Sequence, residues 1–187
     1  MVGGVQLRET SPILRIRDPL GVHLPTPPSV TYVPVQHKNL TGIAWQGTEK
    51  RMDFQKDFLR ISDLSQEQFL FLLSVAQDLK KELKETRKNK AELAGKTLAM
   101  VFEKPSLRTR VSFEIGMTQL GGHAVFLGPN DIQLGVRESV ADAAGTLSRM
   151  ADGIMARVFQ HATIEELAKN ARTSPVINGL SDLEHPC

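Results

Sequence analysis

The 187-residue sequence predicts an α/β fold: a parallel sheet of about four strands with helices on both faces. Two observations lead there. Apolar runs of strand length recur at 97–102, 123–127, 153–159 and 175–178. Between them lie stretches of helix length whose apolar residues return at helical spacing. A strand, a helical crossover and a second strand make a βαβ unit, and consecutive units build a parallel sheet that needs cover on both faces. Ligands of such sheets gather at the carboxyl ends of the strands.

Residues 1–53 read differently from the rest. Pro25, Pro27, Pro28 and Pro34 interrupt any helix and the apolar pattern is weak, so a poorly ordered N-terminal extension is expected. It mixes Arg8, Arg15 and Arg17 with Glu9 and Asp18 and has no continuous apolar segment. That argues against a secretory signal and leaves an organellar transit peptide open. Residues 54–187 form the expected folded domain. Its first helix is announced by the capping box Ser65-Gln66-Glu67-Gln68, with Leu64 and Phe69 placed as a hydrophobic staple. Phe69, Leu72, Leu73, Ala76, Leu79 and Leu83 follow at helical spacing and predict a buried stripe. The basic cluster over 80–90 is interleaved with Glu82 and Glu85 and reads as a solvated face.

The strand 97–102 leads into a helix over about 107–120, a Gly121-Gly122 turn and the strand 123–127. A loop over 128–137 precedes a helix with Val140, Ala143, Ala144, Leu147 and Met150 on one face. The strand 153–159 is followed by a helix capped by Thr163-Ile164-Glu165-Glu166, with Leu167, Ala168 and Ala171 inward, and the last strand is 175–178.

Composition removes several classes of function. Hydrophobic residues make up 41% and charged residues 24%, ordinary for a globular chain. A net charge of +2 and an aromatic content of 5% give no footing for nucleic acid or a membrane surface as partner. Cys187 is the only cysteine, which excludes a disulfide framework and a thiolate zinc cluster and fits a reducing compartment. No apolar run has the length of a membrane span. Gly95-Lys96-Thr97 looks like the end of a P-loop, but Lys90 stands where the first glycine belongs and the triplet precedes its strand. Gly121-Gly122 lacks the spacing of a dinucleotide fingerprint.

The densest chemistry is Phe102-Glu103-Lys104-Pro105-Ser106-Leu107-Arg108-Thr109-Arg110-Val111-Ser112-Phe113-Glu114, at a strand-to-helix turn. A helix N-terminus offers unpaired N–H donors and a partial positive charge, so an anion is stabilised there. Arg108 adds a fork suited to phosphate oxygens, and Ser106 and Thr109 supply hydroxyls. The segment reads as a phosphate site, although Arg108 could equally be a plain surface arginine. Arg110 stands four residues before Glu114, a structural pairing. Arg157 closes an apolar strand, where a charge is costly unless an anion or a carboxylate such as Asp131 or Asp152 faces it. His185 lies in the polar loop after the last strand, as a solvated residue or a functional one. His23, His37, His123 and His161 lack metal-ligand spacing and are read as structural. The stretches around Ser106, after Val158 and over 178–185 are expected to converge on one crevice.

Three of these segments together resemble the aspartate/ornithine carbamoyltransferase family. They are Phe102 to Glu114, Ala156-Arg157-Val158, and Asn178-Gly179-Leu180-Ser181-Asp182-Leu183-Glu184-His185-Pro186-Cys187. They fall in the family's order and spacing within residues 54–187. Asn-Gly-Leu-Ser-Asp before His-Pro, Phe-Glu-Lys-Pro ahead of the first segment, and Arg-Val after the buried strand favour the ornithine branch. The resemblance implies a carbamoyl phosphate-binding domain, half of an enzyme converting carbamoyl phosphate and L-ornithine to citrulline and phosphate, an arginine-biosynthesis or urea-cycle type of step. It implies that Ser106, the Leu107 backbone N–H, Arg108 and Thr109 hold the phosphate. Thr109, Arg157 and His185 would face the carbamoyl carbonyl oxygen. Gln133, in Asp131-Ile132-Gln133-Leu134-Gly135, would complete the site of an adjacent subunit in a homotrimer. Phosphate is already a good leaving group, so no metal or organic cofactor is expected.

Two departures stand out. Leu107 replaces a threonine of the family's Ser-Thr-Arg-Thr-Arg, removing a hydroxyl but not the backbone N–H. The family pattern His-Pro-x-Gln would continue with glutamine after Cys187, and the ornithine-binding domain, with its Asp, Ser-Met-Gly and His-Cys-Leu-Pro segments, would follow. The 187 residues are therefore expected to be a carbamoyl phosphate-binding half without turnover alone, with L-ornithine a partner only once the second domain is supplied. A non-catalytic carbamoyl phosphate-binding or trimer-joining module, and a carbamoyltransferase for another amine such as putrescine, are the alternatives. A cytoplasmic location is expected, or the mitochondrial matrix if residues 1–50 act as a transit peptide.

Overall fold

A computed structural model describes residues 52–187, so the expected N-terminal extension, apart from Met52 and Asp53, lies outside the described residues. A 3₁₀ turn at Ile61–Asp63 precedes α1 (Gln66–Thr86). There follow β1 (Thr97–Phe102), α2 (Leu107–Gln119), β2 (His123–Leu127), α3 (Pro129–Ile132), α4 (Val140–Met150), β3 (Gly153–Arg157), α5 (His161–Asn170) and β4 (Val176–Leu180). The four strands form one all-parallel sheet in the order β2-β1-β3-β4, the α/β architecture the alternation predicts.

Side chains of a strand alternate between faces, and both faces here are packed. Ala99, Val101, Ile154, Ala156 and Val176 meet Ala143 and Ala144 of α4 and Ile164 and Leu167 of α5. Leu98, Met100, Phe102 and Met155 point the other way, against Met117 and Phe113 of α2. Met100, Val101, Phe102, Ile154, Met155 and Ala156 all have 0% exposure, which is why the two central strands are apolar without interruption. Each large side chain so buried contributes about 1.5–3 kcal/mol. The outer edge of β4 is covered by the stretch around Phe58, whose N–H donates to Val176 O at 2.8 Å and whose carbonyl accepts from Asn178 N–H at 2.9 Å. Lys56 Nζ donates to Ala171 O at 2.5 Å and Ala168 O at 3.3 Å, placing a cation on the last carbonyls of α5.

Several details depart from the sequence expectation. The capping box of α1 is present: Ser65 Oγ accepts from Gln68 N–H at 3.2 Å, and Gln68 Oε1 accepts from Ser65 N–H at 2.7 Å. Its buried face is another one, however. Phe71 is buried, its ring 6.0 Å from that of Phe54, while Leu72, Leu73 and Ala76 are exposed. Residues 69–73 are consecutively apolar, so periodicity alone selects no face. Helix α5 begins at His161 and not near Thr163, because its first N–H is capped from a distance by Asp182 Oδ1 at 2.7 Å. Met150 ends α4 pointing outward, 78% exposed. β3 stops at Arg157 and β4 extends to Leu180.

The strand order has a consequence at the carboxyl edge. The chain leaves β1 toward β2 on one side and leaves β3 toward β4 on the other. The connections after the two central strands therefore diverge and open a crevice between them.

Candidate functional site

On one side of the crevice stands the N-terminus of α2. Ser106 is extended (φ −156, ψ 116) and its Oγ accepts from Thr109 N–H at 3.4 Å, the N-cap arrangement. The N–H groups of Leu107 and Arg108 lie in the first turn, where no intrahelical acceptor exists for them. Leu107 is 80% exposed, and the Arg108 side chain lies with Leu107, Val111 and Ile115 in a shallow groove on the outer face of α2. Arg110 takes its expected structural place, 3.1 Å from Glu114 Oε1 and stacked 3.7 Å over the Phe126 ring.

Thr109 and Arg157 bridge the crevice. Thr109 is buried, and its Oγ1 accepts from Arg157 Nη1 at 3.2 Å. Arg157 is held between its neighbours, paired with Phe102 on one side and Leu180 on the other. Neither carboxylate considered from the sequence faces it. Asp152 binds Lys96 Nζ at 2.8 Å and Thr97 N–H at 2.8 Å, and Asp131 accepts from Gly128 N–H at 2.7 Å. Among the described residues, Arg157 Nε is the buried side-chain nitrogen or oxygen left without a hydrogen-bond partner. A buried donor in that state is destabilising, and an incoming acceptor relieves it. Lys96 and then Thr97 N–H hold the Asp152 carboxyl below its usual range.

Glu103 has a role that sequence reasoning missed. Its Oε2 accepts from Phe159 N–H at 2.6 Å and its N–H donates to Arg157 O at 2.9 Å, so the exits of β1 and β3 are clamped on both sides of Arg157. Lys104 Nζ sits 5.1 Å from the centroid of the Phe159 ring. The one available signal was a carboxylate directly after a buried strand.

The third segment is shaped by a bulge. Ala156 pairs with Asn178 and Arg157 with Leu180, so Gly179 is the extra residue. A Cβ there would collide with Met155 Sδ and lie 3.3 Å from Ala156 O, which leaves room for glycine alone. Asn178 is wholly buried: its Nδ2 donates to Leu59 O at 3.0 Å and Glu184 O at 3.3 Å, and its Oδ1 accepts from Leu180 N–H at 3.0 Å. Ser181 N–H donates to Glu184 O at 2.9 Å, closing a turn, and exposed His185 follows immediately. The Cys187 thiol donates to Asn178 O at 3.3 Å, and burial pushes it up to about 11. Gln133 is exposed and left-handed (φ +47), its carbonyl accepting from Val136 and Arg137 N–H in a tight turn anchored by buried Ile132 and Leu134.

The structure thus brings Thr109 and Arg157 into contact, with Ser106 capping the same helix end. The backbone leading to His185 runs beside Arg157. No hydrogen bond joins the Arg108 or His185 side chain to Arg157 among the described residues. His161, read from the sequence as structural, is buried and bonded to Ser181 and Arg60. Its spacing to Ile164 and Ala168 on the inner face of α5 was the available signal.

A helix N-terminus and a half-buried arginine with an unpartnered Nε–H lie together at the switch point of a parallel α/β sheet, the place where such sheets take their ligands. Residues 56–187 match the family described as aspartate/ornithine carbamoyltransferase, carbamoyl-P binding domain, and the chain belongs to that family. An ornithine carbamoyltransferase from Anoxybacillus flavithermus is 54% identical over 132 residues, which is 71% of this chain and 41% of that protein. The solved structure of an ornithine carbamoyltransferase from Pyrococcus furiosus superposes with a TM-score of 0.67 at 51% identity, covering 71% of this chain and 42% of that one. The catalytic subunit of M. jannaschii aspartate transcarbamoylase gives a TM-score of 0.64 at 30% identity, over 71% and 43% of the two chains. The chain spans less than half the length of these relatives.

Proposed function

We propose that this chain is the carbamoyl phosphate-binding part of an ornithine carbamoyltransferase. The observation that carries the reading is Arg157, half-buried at the switch point with its buried Nε unpartnered and Nη1 on Thr109 Oγ1. The ornithine branch is favoured by 54% and 51% identity to ornithine carbamoyltransferases against 30% to an aspartate transcarbamoylase.

In this reading Ser106, the Leu107 N–H, Arg108 and Thr109 bind the phosphate. Arg108 swings in from the outer groove to do so. Thr109, Arg157 and His185 face the carbonyl oxygen. The neutral side-chain amine of L-ornithine bonds to the carbamoyl carbon, and the bond from that carbon to the phosphate oxygen breaks. Phosphate departs with the electron pair while the amine gives up a proton. Negative charge grows on the carbonyl oxygen during the attack, and each preorganised donor aimed at it is worth about 2.7–4 kcal/mol in comparable chemistry. Gln133, on its anchored turn, reaches the site of a neighbouring copy in a homotrimer. In this reading residues 56–187 supply the carbamoyl phosphate site, and the described residues are assigned no site for the amine. The step belongs to arginine biosynthesis and runs in the cytoplasm.

Titration of the chain with carbamoyl phosphate tests this directly. Arg108→Ala and Arg157→Ala are each expected to weaken binding about tenfold or more, the loss of a charge-assisted hydrogen bond. Unchanged affinity in both overturns the site. A normal rate of citrulline formation by these residues alone overturns the half-enzyme reading.

A further inference from the structure

His161 is the buried histidine among the described residues, 6% exposed at the first position of α5. Arg60 Nε–H donates to its Nε2 at 2.9 Å. A guanidinium can only donate, so Nε2 is the acceptor and the ring proton sits on Nδ1. Nδ1–H then donates to Ser181 Oγ at 2.8 Å. That hydroxyl also accepts from Glu184 N–H at 3.2 Å and, more weakly, from Asn178 Nδ2 at 3.4 Å, and it donates to the Glu184 carbonyl at 3.2 Å. On the other side Arg60 is held by Glu165 Oε1 at 2.5 Å. The His161 backbone N–H is bound by Asp182 Oδ1 at 2.7 Å. The turn over 181–184 is therefore fastened to the start of α5 through its serine and its aspartate, and His185 is the residue that follows.

We infer that His161 is a positioning residue for His185: as the neutral Nδ1–H tautomer it fixes the Ser181-to-Glu184 turn that presents His185 to the carbamoyl carbonyl oxygen. The inference rests on the carbamoyl phosphate reading above. Its signature is selective. The phosphate donors Ser106, Leu107 and Thr109 belong to α2, which none of these hydrogen bonds touches. Loosening the turn removes the carbonyl contact and leaves the phosphate contacts in place.

The chain and its His161→Ala, His161→Gln and Ser181→Ala variants are titrated with carbamoyl phosphate and, separately, with inorganic phosphate. For His161→Ala, carbamoyl phosphate affinity is expected to fall about tenfold while inorganic phosphate affinity stays within about twofold. His161→Gln restores most of the loss, because an amide spaces a donor and an acceptor as the two ring nitrogens do. Ser181→Ala breaks the same bond from its other end, shows the same selective loss, and serves if His161→Ala does not fold. An equal loss for both ligands, or for neither, overturns the positioning role. Nitrogen-15 spectra of the unliganded chain give a readout independent of any ligand. A proton on Nδ1 with a bare Nε2 upholds the tautomer, and the reverse overturns the inference. A wild-type chain that does not prefer carbamoyl phosphate to inorganic phosphate instead refutes the functional reading, with the spectra still deciding the geometry.

Discussion

Replacing Arg157 with methionine is expected to stabilise the unliganded domain slightly while weakening its hold on carbamoyl phosphate. In the wild type a buried Nε–H without a partner costs about 1–3 kcal/mol, the desolvation penalty of an unsatisfied polar group. The Nη1 bond to Thr109 Oγ1 at 3.2 Å returns about 1 kcal/mol of that. Methionine follows the same stem, fills much of the same volume and brings no donor. The balance is a gain of about 1 kcal/mol, or about 2–4 °C in Tm for a domain of this size. Ligand binding loses a charge-assisted hydrogen bond worth about 1.5–3 kcal/mol, which is about 10- to 150-fold in Kd. Urea unfolding followed by far-UV circular dichroism, with and without carbamoyl phosphate, reads both quantities. The ligand should move the wild-type midpoint upward and leave that of the variant nearly still. If Arg157→Met loses more than about 1 kcal/mol of unliganded stability and keeps the ligand shift, Arg157 is a structural residue and the orphaned donor carries no functional meaning.

Three further outcomes are expected. Asn178→Ala strips partners from Leu59 O, Glu184 O and Leu180 N–H and should lower stability by about 2–4 kcal/mol in urea unfolding. Asn178→Asp does not rescue it, since the new oxygen would face two carbonyls; full recovery would refute the bonding scheme. For Asp152, the depressed folded value means that the stability it adds is present above the ordinary aspartate range and is lost as pH falls through that depressed value. Lys96→Met should therefore flatten the acid limb of a Tm-against-pH curve, and an unaltered limb would show that the pair is not linked to folding. The Cys187 thiol, raised to about 11, should alkylate slowly at neutral pH and accelerate only as pH climbs toward that value. An onset at the usual thiol range would mean that the group is solvated.

How much could be read in advance depended on whether a residue's job is local. β1 and β3 announce themselves because a strand buried on both faces must be apolar throughout, as Leu98 to Phe102 and Ile154 to Ala156 are. Ser106 and Thr109 are recognisable by type, since a hydroxyl before a helix is a cap. The start of α5 was misplaced because Asp182, far along the chain, supplies its cap. Glu103 escaped for the same reason, and so did the partners of His161: they arrive only when β1, β3 and β4 lie side by side. On α1 the failure was of another kind. An unbroken apolar run from Phe69 to Leu73 offers every face, and tertiary packing chose Phe71.

The arrangement β2-β1-β3-β4 also governs the order in which the polypeptide can fold as the ribosome releases it. β1 and β2 emerge first and can dock α2, but Ala99 and Val101 on their opposite side await Ile164 and Leu167, and β1 awaits its partner β3. Until synthesis passes β3 the nascent chain carries a two-stranded ribbon with an unzipped rim, and until it passes α5 the back of the sheet stays incompletely covered. That interval is when a chaperone would have most to grip.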